Sequence, residues 1–329
     1  MRKILIDKYG RNIDYLRISV TDKCNLSCIY CIPKYGVLQA MEEELLSIKE
    51  IVSFVKVAAS HGIRKIKITG GEPLLRKDIV SLVACIAEID SSIDISMTTN
   101  GVLIEKFASE LKKAGLKRLN ISLDSFCPDR YKQITKYGEL KDVLTGIERA
   151  IQLGFSQIKV NTVIIRDINF DEILDFVHFA IETGITVKFI EYMPTKNSLD
   201  GYAKKFVSAG EMRSKCNEAY NLLPTMVNGN GPAKYYAIKG TKGTIGFISP
   251  LSCKFCADCN RIRLTSDGKL LSCLYSQERV DVKNSIRNGS DIDEVTKLLF
   301  SAIASKPASH NLIVEDKQMD FCSMIRIGG

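Results

Sequence analysis

Two hydrophobic periods alternate through roughly the first 190 residues of the chain. Short runs rich in Ile and Val, bounded by turn residues, predict six β-strands. Between them, apolar residues recur at helical spacing, and a Gly follows several of these segments as a helix cap. The predicted strands are Tyr15–Val20, Lys65–Thr69, Asp94–Thr98, Arg118–Leu123, Gln157–Ile164 and Thr186–Glu191. The predicted helices are Ser47–Ser60, Asp78–Ile89, Ile104–Ala114, Leu140–Leu153 and Phe170–Glu182.

The repeated strand–helix unit predicts parallel strands joined by right-handed crossovers. Six units fall short of the eight that close a full TIM barrel. We therefore expect an α/β fold, an incomplete (β/α)6 barrel of TIM type that is open laterally; an open doubly wound sheet is the alternative. Ligands of both folds gather at the carboxyl ends of the strands. The polar stretches expected there are Cys24–Cys31, Gly70–Pro73, Thr98–Gly101, Ser122–Ser125, Asn161 and Glu191–Pro194.

The pattern changes after Pro194, where a polar stretch, Thr195–Lys205, predicts a loop. We expect a boundary here, between a barrel domain over residues 1–194 and a smaller α+β domain over 195–329. A turn is predicted over Asn228–Pro232, and a hairpin around Ser266-Asp267-Gly268. The other elements predicted in this region are strands Lys234–Ile238, Thr244–Ser249, Arg261–Thr265 and Lys269–Cys273, and helices Glu211–Asn221 and Ile292–Ile303.

Composition narrows the classes of partner and compartment. The net charge of +8 indicates an anionic partner, and its even spread along the chain favours a phosphorylated small molecule at least as much as RNA. Mean hydropathy is near zero, and no apolar run reaches the ~20 residues that span a bilayer. The N-terminus turns charged at once, unlike a signal peptide. We therefore expect a soluble, cytoplasmic protein.

Eleven cysteines and three histidines favour soft thiolate chemistry over disulfides or nitrogen-rich metal sites. Cys24, Cys28 and Cys31 are spaced C-x3-C-x2-C. Three thiolates can hold three irons of a [4Fe–4S] cube and leave the fourth iron open for chemistry. A zinc site that lacks one ligand is the alternative interpretation.

A second group of thiols lies near the C-terminus, where Cys253, Cys256, Cys259 and Cys273 follow one another. All four could form a closed site for zinc or a cluster. Alternatively, Cys256, Cys259 and Cys273 could hold a second cluster with an open iron. Spacing alone does not choose between these ligand sets.

The first motif resembles that of the radical SAM superfamily, which carries an aromatic residue before the last cysteine, here Tyr30. Gly70-Gly71-Glu72-Pro73, one βα unit later, resembles the same superfamily's GGEP element. The resemblance implies that the cluster binds S-adenosylmethionine and cleaves it to a 5′-deoxyadenosyl radical. It also implies that the residues contacting this cofactor are Tyr30, Gly71, Ser122 and Met193.

The stretch from Cys256 to Leu274 reads C-x2-C-x-R-x-R-L-T-x-D-G-x-L-x2-C-L, and it resembles the C-terminal signature of the GTP 3′,8-cyclase (MoaA-type) family. The resemblance implies a second [4Fe–4S] cluster on Cys256, Cys259 and Cys273, with Cys253 not a ligand. Its open iron would bind the guanine base of GTP. The implied reaction is hydrogen abstraction from ribose C3′ and attack on guanine C8. The product is (8S)-3′,8-cyclo-7,8-dihydroguanosine 5′-triphosphate, in the first step of molybdenum cofactor biosynthesis.

The family pattern also implies contacts with the nucleotide. Arg261 and Arg263 alternate on one predicted strand and therefore share a face. Lys67 stands where many relatives have Arg, so it keeps the charge and loses the forked geometry. The implied substrate-binding residues are Arg17, Lys67, Thr98, Lys159, Arg261, Ile262 and Arg263. The implied catalytic residues are Arg17, Arg261, Arg263, Gly328 and Gly329, the last two in a C-terminal tail that enters the active site.

The resemblance further implies a homodimer, a flavodoxin or ferredoxin-type reductant and a downstream partner, cyclic pyranopterin monophosphate synthase (MoaC), with neither nucleic acid nor membrane as a partner. One alternative is another radical SAM enzyme with an auxiliary cluster, such as a peptide maturase. Such enzymes have more C-terminal cysteines and lack the Arg-x-Arg and Gly-Gly elements. The other is a zinc-dependent RNA-binding module, which would interleave aromatic and basic residues. This chain shows no such interleaving and has no Trp.

Overall fold

The computed structural model describes residues 4–31, 41–194, 201–229, 231–287, 292–310 and 324–327. Twelve strands within these ranges form one continuous sheet. They are β1 (Tyr15–Ser19), β2 (Lys65–Thr69), β3 (Asp94–Thr99), β4 (Arg118–Ser122), β5 (Gln157–Ile164), β6 (Thr186–Glu191), β7 (Leu222–Thr225), β8 (Lys234–Ile238), β9 (Thr244–Ile248), β10 (Arg261–Leu264), β11 (Lys269–Leu271) and β12 (Val280–Asp281).

The strand order is β12-β11-β10-β1-β2-β3-β4-β5-β6-β9-β8-β7. The eight strands from β10 to β9 all pair in parallel, and antiparallel pairs occur only outside them. The predicted six-stranded partial barrel is therefore confirmed. The C-terminal region adds one parallel strand to each of its edges. Among the described residues β9 and β10 do not pair with each other, so the barrel stays open on that side.

The described ranges contain twelve α-helices or helical turns. They are α1 (Ile48–Ser60), α2 (Ile79–Ala87), α3 (Ile104–Lys113), α4 (Pro128–Thr135), α5 (Leu140–Gln152), α6 (Arg166–Asn169), α7 (Ile173–Thr183), α8 (Tyr202–Lys205), α9 (Ala209–Asn217), α10 (Lys283–Arg287), α11 (Ile292–Ala304) and α12 (Met324–Ile327). None of the helices in the described ranges is long and apolar enough to cross a membrane.

Local chemistry explains where several helices begin and end. The Ser47 side chain accepts a hydrogen bond from the Glu50 amide, and the Glu50 carboxylate accepts one from the Ser47 amide, which fixes the start of α1. The same box of Ser208 and Glu211 starts α9 two residues before the predicted Glu211. Gly184 ends α7 in the left-handed conformation, with φ of 69°.

Some predicted elements differ from the structure. Neither helix α4 nor the β7 edge strand was predicted, and β7 forms despite Pro224 because it lies at the edge of the sheet. The predicted loop Thr195–Lys205 ends in the helical turn α8, and residues 195–200 lie outside the described ranges. The predicted turn Asn228–Pro232 also includes residue 230, which is not described.

The twofold period of each strand separates the core from the site. On β2, Ile66 and Ile68 are fully buried against the helices, whereas Lys67 between them faces the interior of the barrel. On β10, Ile262 is in the apolar core, and Arg261 and Arg263 face the interior. The alternation thus packs an apolar core outside the sheet and gathers polar side chains inside it.

Candidate functional site

One cavity occupies the interior of the barrel. Side chains from β10 at one edge of the parallel strands and β9 at the other line it together, so the sheet curls around the cavity. The lining includes Arg17, Lys67, Thr98, Arg118, Asn120, Gln157, Lys159, Asn161, Lys188, Met193, Tyr235, Ile248, Cys256, Cys259, Arg261, Arg263, Ser272 and Cys273.

Buried cations dominate the wall of this cavity. Burial lowers the pKa of Lys67 well below its usual value, and repulsion by Lys188 and Arg17 lowers it further. Burial and the Arg118 charge lower the pKa of Lys159 to about 8. Lys159 donates hydrogen bonds to the Asn228 carbonyl at 3.1 Å and the Tyr235 hydroxyl at 3.0 Å, which are both neutral acceptors. Cations that repel one another here favour an anionic ligand.

Several polar atoms on the wall also lack a partner. Gln157 Oε1, Asn161 Oδ1 and Ser272 Oγ are buried and make no hydrogen bond within the described part of the chain. All three residues line the cavity. A polar ligand would satisfy these atoms, because a buried acceptor without a partner costs about 1–3 kcal/mol.

The first thiol loop, Cys24–Cys31, lies beyond the carboxyl end of β1. Helix α4 anchors it, because the Ser27 and Ile29 amides donate to the Thr135 and Ile134 carbonyls, each at 3.0 Å. The Gly70–Pro73 turn packs directly against its start. The Gly71 amide donates to the Thr21 carbonyl at 2.8 Å, and a Cβ on Gly71 would lie 2.3 Å from the Lys23 carbonyl oxygen. Only glycine fits this close approach.

The surroundings of the first thiol loop are acidic. Burial raises the pKa of Cys31 to about 12, with contributions from Cys24 and Asp124. Burial and the same carboxylate raise the pKa of Cys28. The Tyr30 hydroxyl donates a hydrogen bond of 2.6 Å to the Asp124 carboxylate, whose pKa burial raises to about 6. Asp124 therefore lies within electrostatic range of two thiols of the loop.

The second thiol group lies elsewhere in the fold, and its charged neighbours are cations instead of a carboxylate. The segment Ser249–Asn260 connects the carboxyl end of β9 to the amino end of β10, so it crosses the open side of the barrel. Cys256, Cys259 and Cys273 all line the cavity there. Burial alone would raise the pKa of Cys259, but the charges of Arg261 and Lys306 lower it to about 6.

The structure brings most of the predicted site residues together. Thr98, Lys159 and Met193 line the same cavity as Arg17, Lys67 and both predicted arginines of β10, Arg261 and Arg263. Ser122 ends β4, and Tyr30 and Gly71 belong to the first thiol loop and its neighbouring turn. The Ile262 side chain packs in the core on the other face of the strand. Cys253 is exposed and does not line the cavity.

The predicted tail residues Gly328 and Gly329 lie outside the described residues. The helical turn before them, α12, is described. Arg263 donates to the Ile327 carbonyl at 3.4 Å, and Ile325 packs beside Gly71. The C-terminal turn therefore lies between the cavity wall and the first thiol loop.

Several residues of the site were not singled out from the sequence. Lys188 donates to Asn120 Oδ1 at 2.9 Å inside the cavity, Asp124 contacts Tyr30, and Lys306 lies at the second thiol group. A lysine within the apolar strand Thr186–Glu191 was a usable signal for Lys188, because a strand buried on both faces rarely carries one. Lys306 offered no comparable signal, since it follows a helix as many surface lysines do.

All ten cysteines that the structure describes are free thiols. Among the described residues, no three His, Cys, Asp or Glu side chains converge as ligands of a single ion would. The thiolates of a [4Fe–4S] cube each bind a different iron and so stand farther apart than the ligands of one ion. Three mutually interacting thiols in one loop, beside a glycine turn of close approach, fit a cluster of this kind.

Comparison with known proteins extends this description. Residues 18–180 match the Radical SAM superfamily, and residues 185–312 match the Molybdenum Cofactor Synthesis C family. The chain is 46% identical to a GTP 3′,8-cyclase of Desulforamulus reducens over 99% of this chain and 100% of that one. It is 43% identical to a GTP 3′,8-cyclase of Syntrophomonas wolfei, with 99% and 100% covered.

The chain belongs to the GTP 3′,8-cyclase family. Within the radical SAM superfamily, this family membership implies S-adenosylmethionine and a [4Fe–4S] cluster. A likeness at the level of the fold alone reaches Streptococcus suis SuiB bound to S-adenosylmethionine. The TM-score is 0.61 at 17% identity, covering 88% of this chain and 66% of SuiB. The chain therefore shares its fold with SuiB at a distant level of sequence identity.

Proposed function

We propose that this chain is a GTP 3′,8-cyclase that converts GTP to (8S)-3′,8-cyclo-7,8-dihydroguanosine 5′-triphosphate, the first step of molybdenum cofactor biosynthesis. The observation that carries the proposal is the wall of buried cations beside the second thiol group, in a member of the family. A triphosphate supplies the negative charge that this wall favours, and its nucleoside supplies polar groups for the unsatisfied atoms.

The first thiol loop would hold a [4Fe–4S] cluster through Cys24, Cys28 and Cys31. The cluster held there would supply one electron, which would cleave bound S-adenosylmethionine into methionine and a carbon-centred radical able to take a hydrogen atom from the substrate. The chain's own task is to hold and shield this chemistry. Gly71 would admit the methionyl group through its backbone, and Ser122 and Met193 would position the cofactor. Met193 is itself held by the Tyr275 hydroxyl at 3.1 Å from its sulfur.

The cationic wall would hold the triphosphate. Lys67 and Lys159 are the lysines of the predicted set, and burial lowers the pKa of both in the free cavity. A triphosphate would favour the charged form of each lysine. Arg17 and Arg263 are buried in the same wall and would supply planar paired donors. Thr98, Arg261 and the Ile262 backbone complete the proposed contacts.

The second thiol group would hold another [4Fe–4S] cluster through Cys256, Cys259 and Cys273, facing the base of the substrate. In this proposal residues 1–194 make the radical and residues 195–329 supply the substrate-binding cluster. Arg17, Arg261 and Arg263 would orient GTP for cyclisation, and Gly328 and Gly329 would extend α12 into the space beside it. The contact between Arg263 and the Ile327 carbonyl supports that direction for the tail.

The remaining partners are also proposals. They are a second copy of the chain in a homodimer, a flavodoxin or ferredoxin-type reductant, and cyclic pyranopterin monophosphate synthase as the next enzyme, all in the cytoplasm. Neither nucleic acid nor membrane is expected as a partner, because the buried cations line an internal cavity and not an exposed surface.

The proposal is tested with anaerobically purified protein, GTP, S-adenosylmethionine and dithionite. We expect 5′-deoxyadenosine and the cyclised nucleotide in step with each other. GTP deuterated at C3′ should transfer deuterium to 5′-deoxyadenosine, and ATP should give no cyclised product. Formation of 5′-deoxyadenosine without any cyclised nucleotide would favour another radical SAM enzyme, such as a peptide maturase. Colourless protein that contains zinc and no iron would reject both readings.

A further inference from the structure

A buried lysine outside all the sequence motifs contacts the second thiol group. Lys306 follows α11, and only 2% of its surface is exposed. Its ammonium donates to the Arg261 carbonyl at 2.7 Å and to the Ser272 carbonyl at 2.6 Å. The Cys259 side chain is one of its neighbours. Burying a lysine is costly unless its charge is compensated, so this placement requires an explanation.

The two carbonyls that Lys306 binds are next to the thiols in sequence. Arg261 is two residues after Cys259, and Ser272 immediately precedes Cys273. One ammonium therefore ties the strand that follows Cys259 to the segment that carries Cys273. These two hydrogen bonds use two of the three donors of the ammonium. This geometry fixes the separation of two of the three proposed ligands.

The charges around Lys306 single out the thiols as its anionic partners. Burial lowers the pKa of Lys306, whereas the neighbouring Cys259 and Cys273 favour its charged form and Arg11 opposes it. Arg11 is itself paired with Asp7 at 2.5 Å and donates to the Cys256 carbonyl at 2.6 Å. Lys306 therefore donates to the backbone beside the thiols, with the thiols as its neighbouring acidic groups.

We propose that Lys306 is a positioning residue of the second thiol group, which sets the spacing of Cys259 and Cys273 and uses its charge to favour a [4Fe–4S] cluster on them, above all in its reduced state. This inference rests on the second cluster of the proposed function. A positive charge beside a cluster stabilises its more negative, reduced form, so it raises the reduction potential. Partners of metal ligands typically contribute 10- to 100-fold in metal affinity.

Three substitutions separate the two parts of this role. Lys306→Met removes the charge and every hydrogen bond. Lys306→Gln keeps donors for a carbonyl and removes the charge. Lys306→Arg keeps the charge with a different shape. Lys254→Met is the matched control, because Lys254 is on the segment of the second thiols but donates to the His310 carbonyl.

Each holoenzyme is measured for iron per chain and for the potentials of both clusters, by redox titration followed with electron paramagnetic resonance. The signal that GTP perturbs reports the second cluster, and the signal that S-adenosylmethionine perturbs reports the first. We expect Lys306→Met to lose the second cluster's iron about 10- to 100-fold more readily to a chelator. Lys306→Gln should retain more iron than Lys306→Met, yet show a lower potential than the wild type. Lys306→Arg and Lys254→Met should keep the wild-type potential.

Other results would overturn the inference. If Lys306→Met and Lys306→Gln kept both the iron and the potential of the second cluster, Lys306 would have no role there. If Lys306→Met melted early and both clusters changed equally, while Lys306→Gln was normal, its role would be general folding. Wild-type protein with a single cluster would reject the second cluster itself, together with this inference. Two clusters without cyclised nucleotide would reject the proposed reaction and leave the role of Lys306 standing.

Discussion

The two thiol groups of this chain have similar ligands and opposite surroundings. The first is a continuous loop at the carboxyl end of β1, with the buried Asp124 as its charged neighbour. The second is assembled from distant segments across the open side of the barrel, with Arg261 and Lys306 as its neighbours. Burial raises the pKa of the first thiols, and cations lower that of Cys259 to about 6.

This difference follows the chemistry proposed for each group. Negative surroundings disfavour an added electron, so a cluster on the first loop becomes a strong reductant once reduced, as cleavage of a sulfonium requires. Positive surroundings stabilise bound negative charge and suit a cluster that holds a substrate next to a triphosphate. Two groups with the same thiolate chemistry are thus adapted to different tasks by their neighbours.

Replacing single thiols should give the largest difference between the two groups in the products that form. We expect Cys28→Ala to abolish both 5′-deoxyadenosine and cyclised nucleotide, because the radical is no longer made. Cys259→Ala should abolish cyclisation and leave some 5′-deoxyadenosine, since the first group is intact. Both products are measured by mass spectrometry, with iron analysis alongside. Cys253→Ser, at an exposed thiol nearby, is the control and should behave as the wild type. Equal loss of both products in Cys259→Ala would contradict a division of tasks.

In iron-depleted protein, the alkylation rate of Cys259 should exceed that of Cys31 by about 100-fold. At pH 7 a thiol of pKa about 6 is mostly thiolate, whereas one of pKa about 12 has roughly 100,000-fold less. The weaker intrinsic nucleophilicity of the less basic thiolate removes nearly three of these five decades. Peptide mapping after iodoacetamide should therefore find Cys259 labelled well before Cys31. Labelling of Cys259 should slow as the pH falls through about 6, because its thiolate gains a proton. Circular dichroism checks that the depleted chain stays folded, and equal rates would contradict the contrast.

The affinity of the cavity for GTP should depend on pH, by up to about 10-fold per pH unit. The pKa of Lys159 is about 8 in the free cavity, so its ammonium is present below that pH and is lost above it. A triphosphate stabilises the ammonium, so GTP affinity should fall as the pH rises from 8 to 9, by no more than tenfold per proton. Anaerobic calorimetry measures the affinity. Lys159→Arg should flatten this part of the profile, whereas an unchanged slope would assign the titration to another group.

The smallest expected effect concerns the carboxylate beside the first loop. Asp124→Asn keeps an acceptor for the Val163 amide, at 2.8 Å in the wild type, and removes the negative charge. The potential of the first cluster should rise by an amount on the order of tens of mV, where 59 mV is a tenfold change for one electron. The second cluster should keep its potential. Tyr30→Phe, which removes the hydroxyl that donates to Asp124, controls for the hydrogen bond. A fall in the potential would contradict the acidic role of Asp124.

Local patterns predicted the strands of the barrel well, and non-local pairing was beyond their reach. Strands β2, β5 and β6 have the predicted bounds, because their Ile and Val content and their turns are local signals. The parallel pairing of β10 with β1 joins residues about 250 positions apart, and no periodicity encodes it. Helix α4 was missed because its segment carries little apolar periodicity, although its terminal carbonyls anchor the first thiol loop.

The candidate site was predictable where motifs carry it. The first cysteine spacing and the family resemblance of Cys256–Leu274 predicted the two thiol groups, and the structure places Arg261, Arg263, Lys67 and Lys159 around one cavity. Asp124 and Lys306 were not predicted, since their importance comes from what tertiary packing places beside them. A buried lysine and a surface lysine look alike in a sequence, and only the fold reveals the loss of solvent.

On the proposed function, the second cluster would also close the open side of the barrel. Because no backbone hydrogen bonds join β9 to β10 in the described chain, the segment with Cys256 and Cys259 spans that gap. A cluster bound there would cross-link this segment to Cys273 and complete the wall around the substrate. Oxidative loss of this cluster would then open the cavity to solvent and also remove a ligand for GTP. Damage by air would therefore stop catalysis, because a chain without this cluster could no longer shield a radical from solvent.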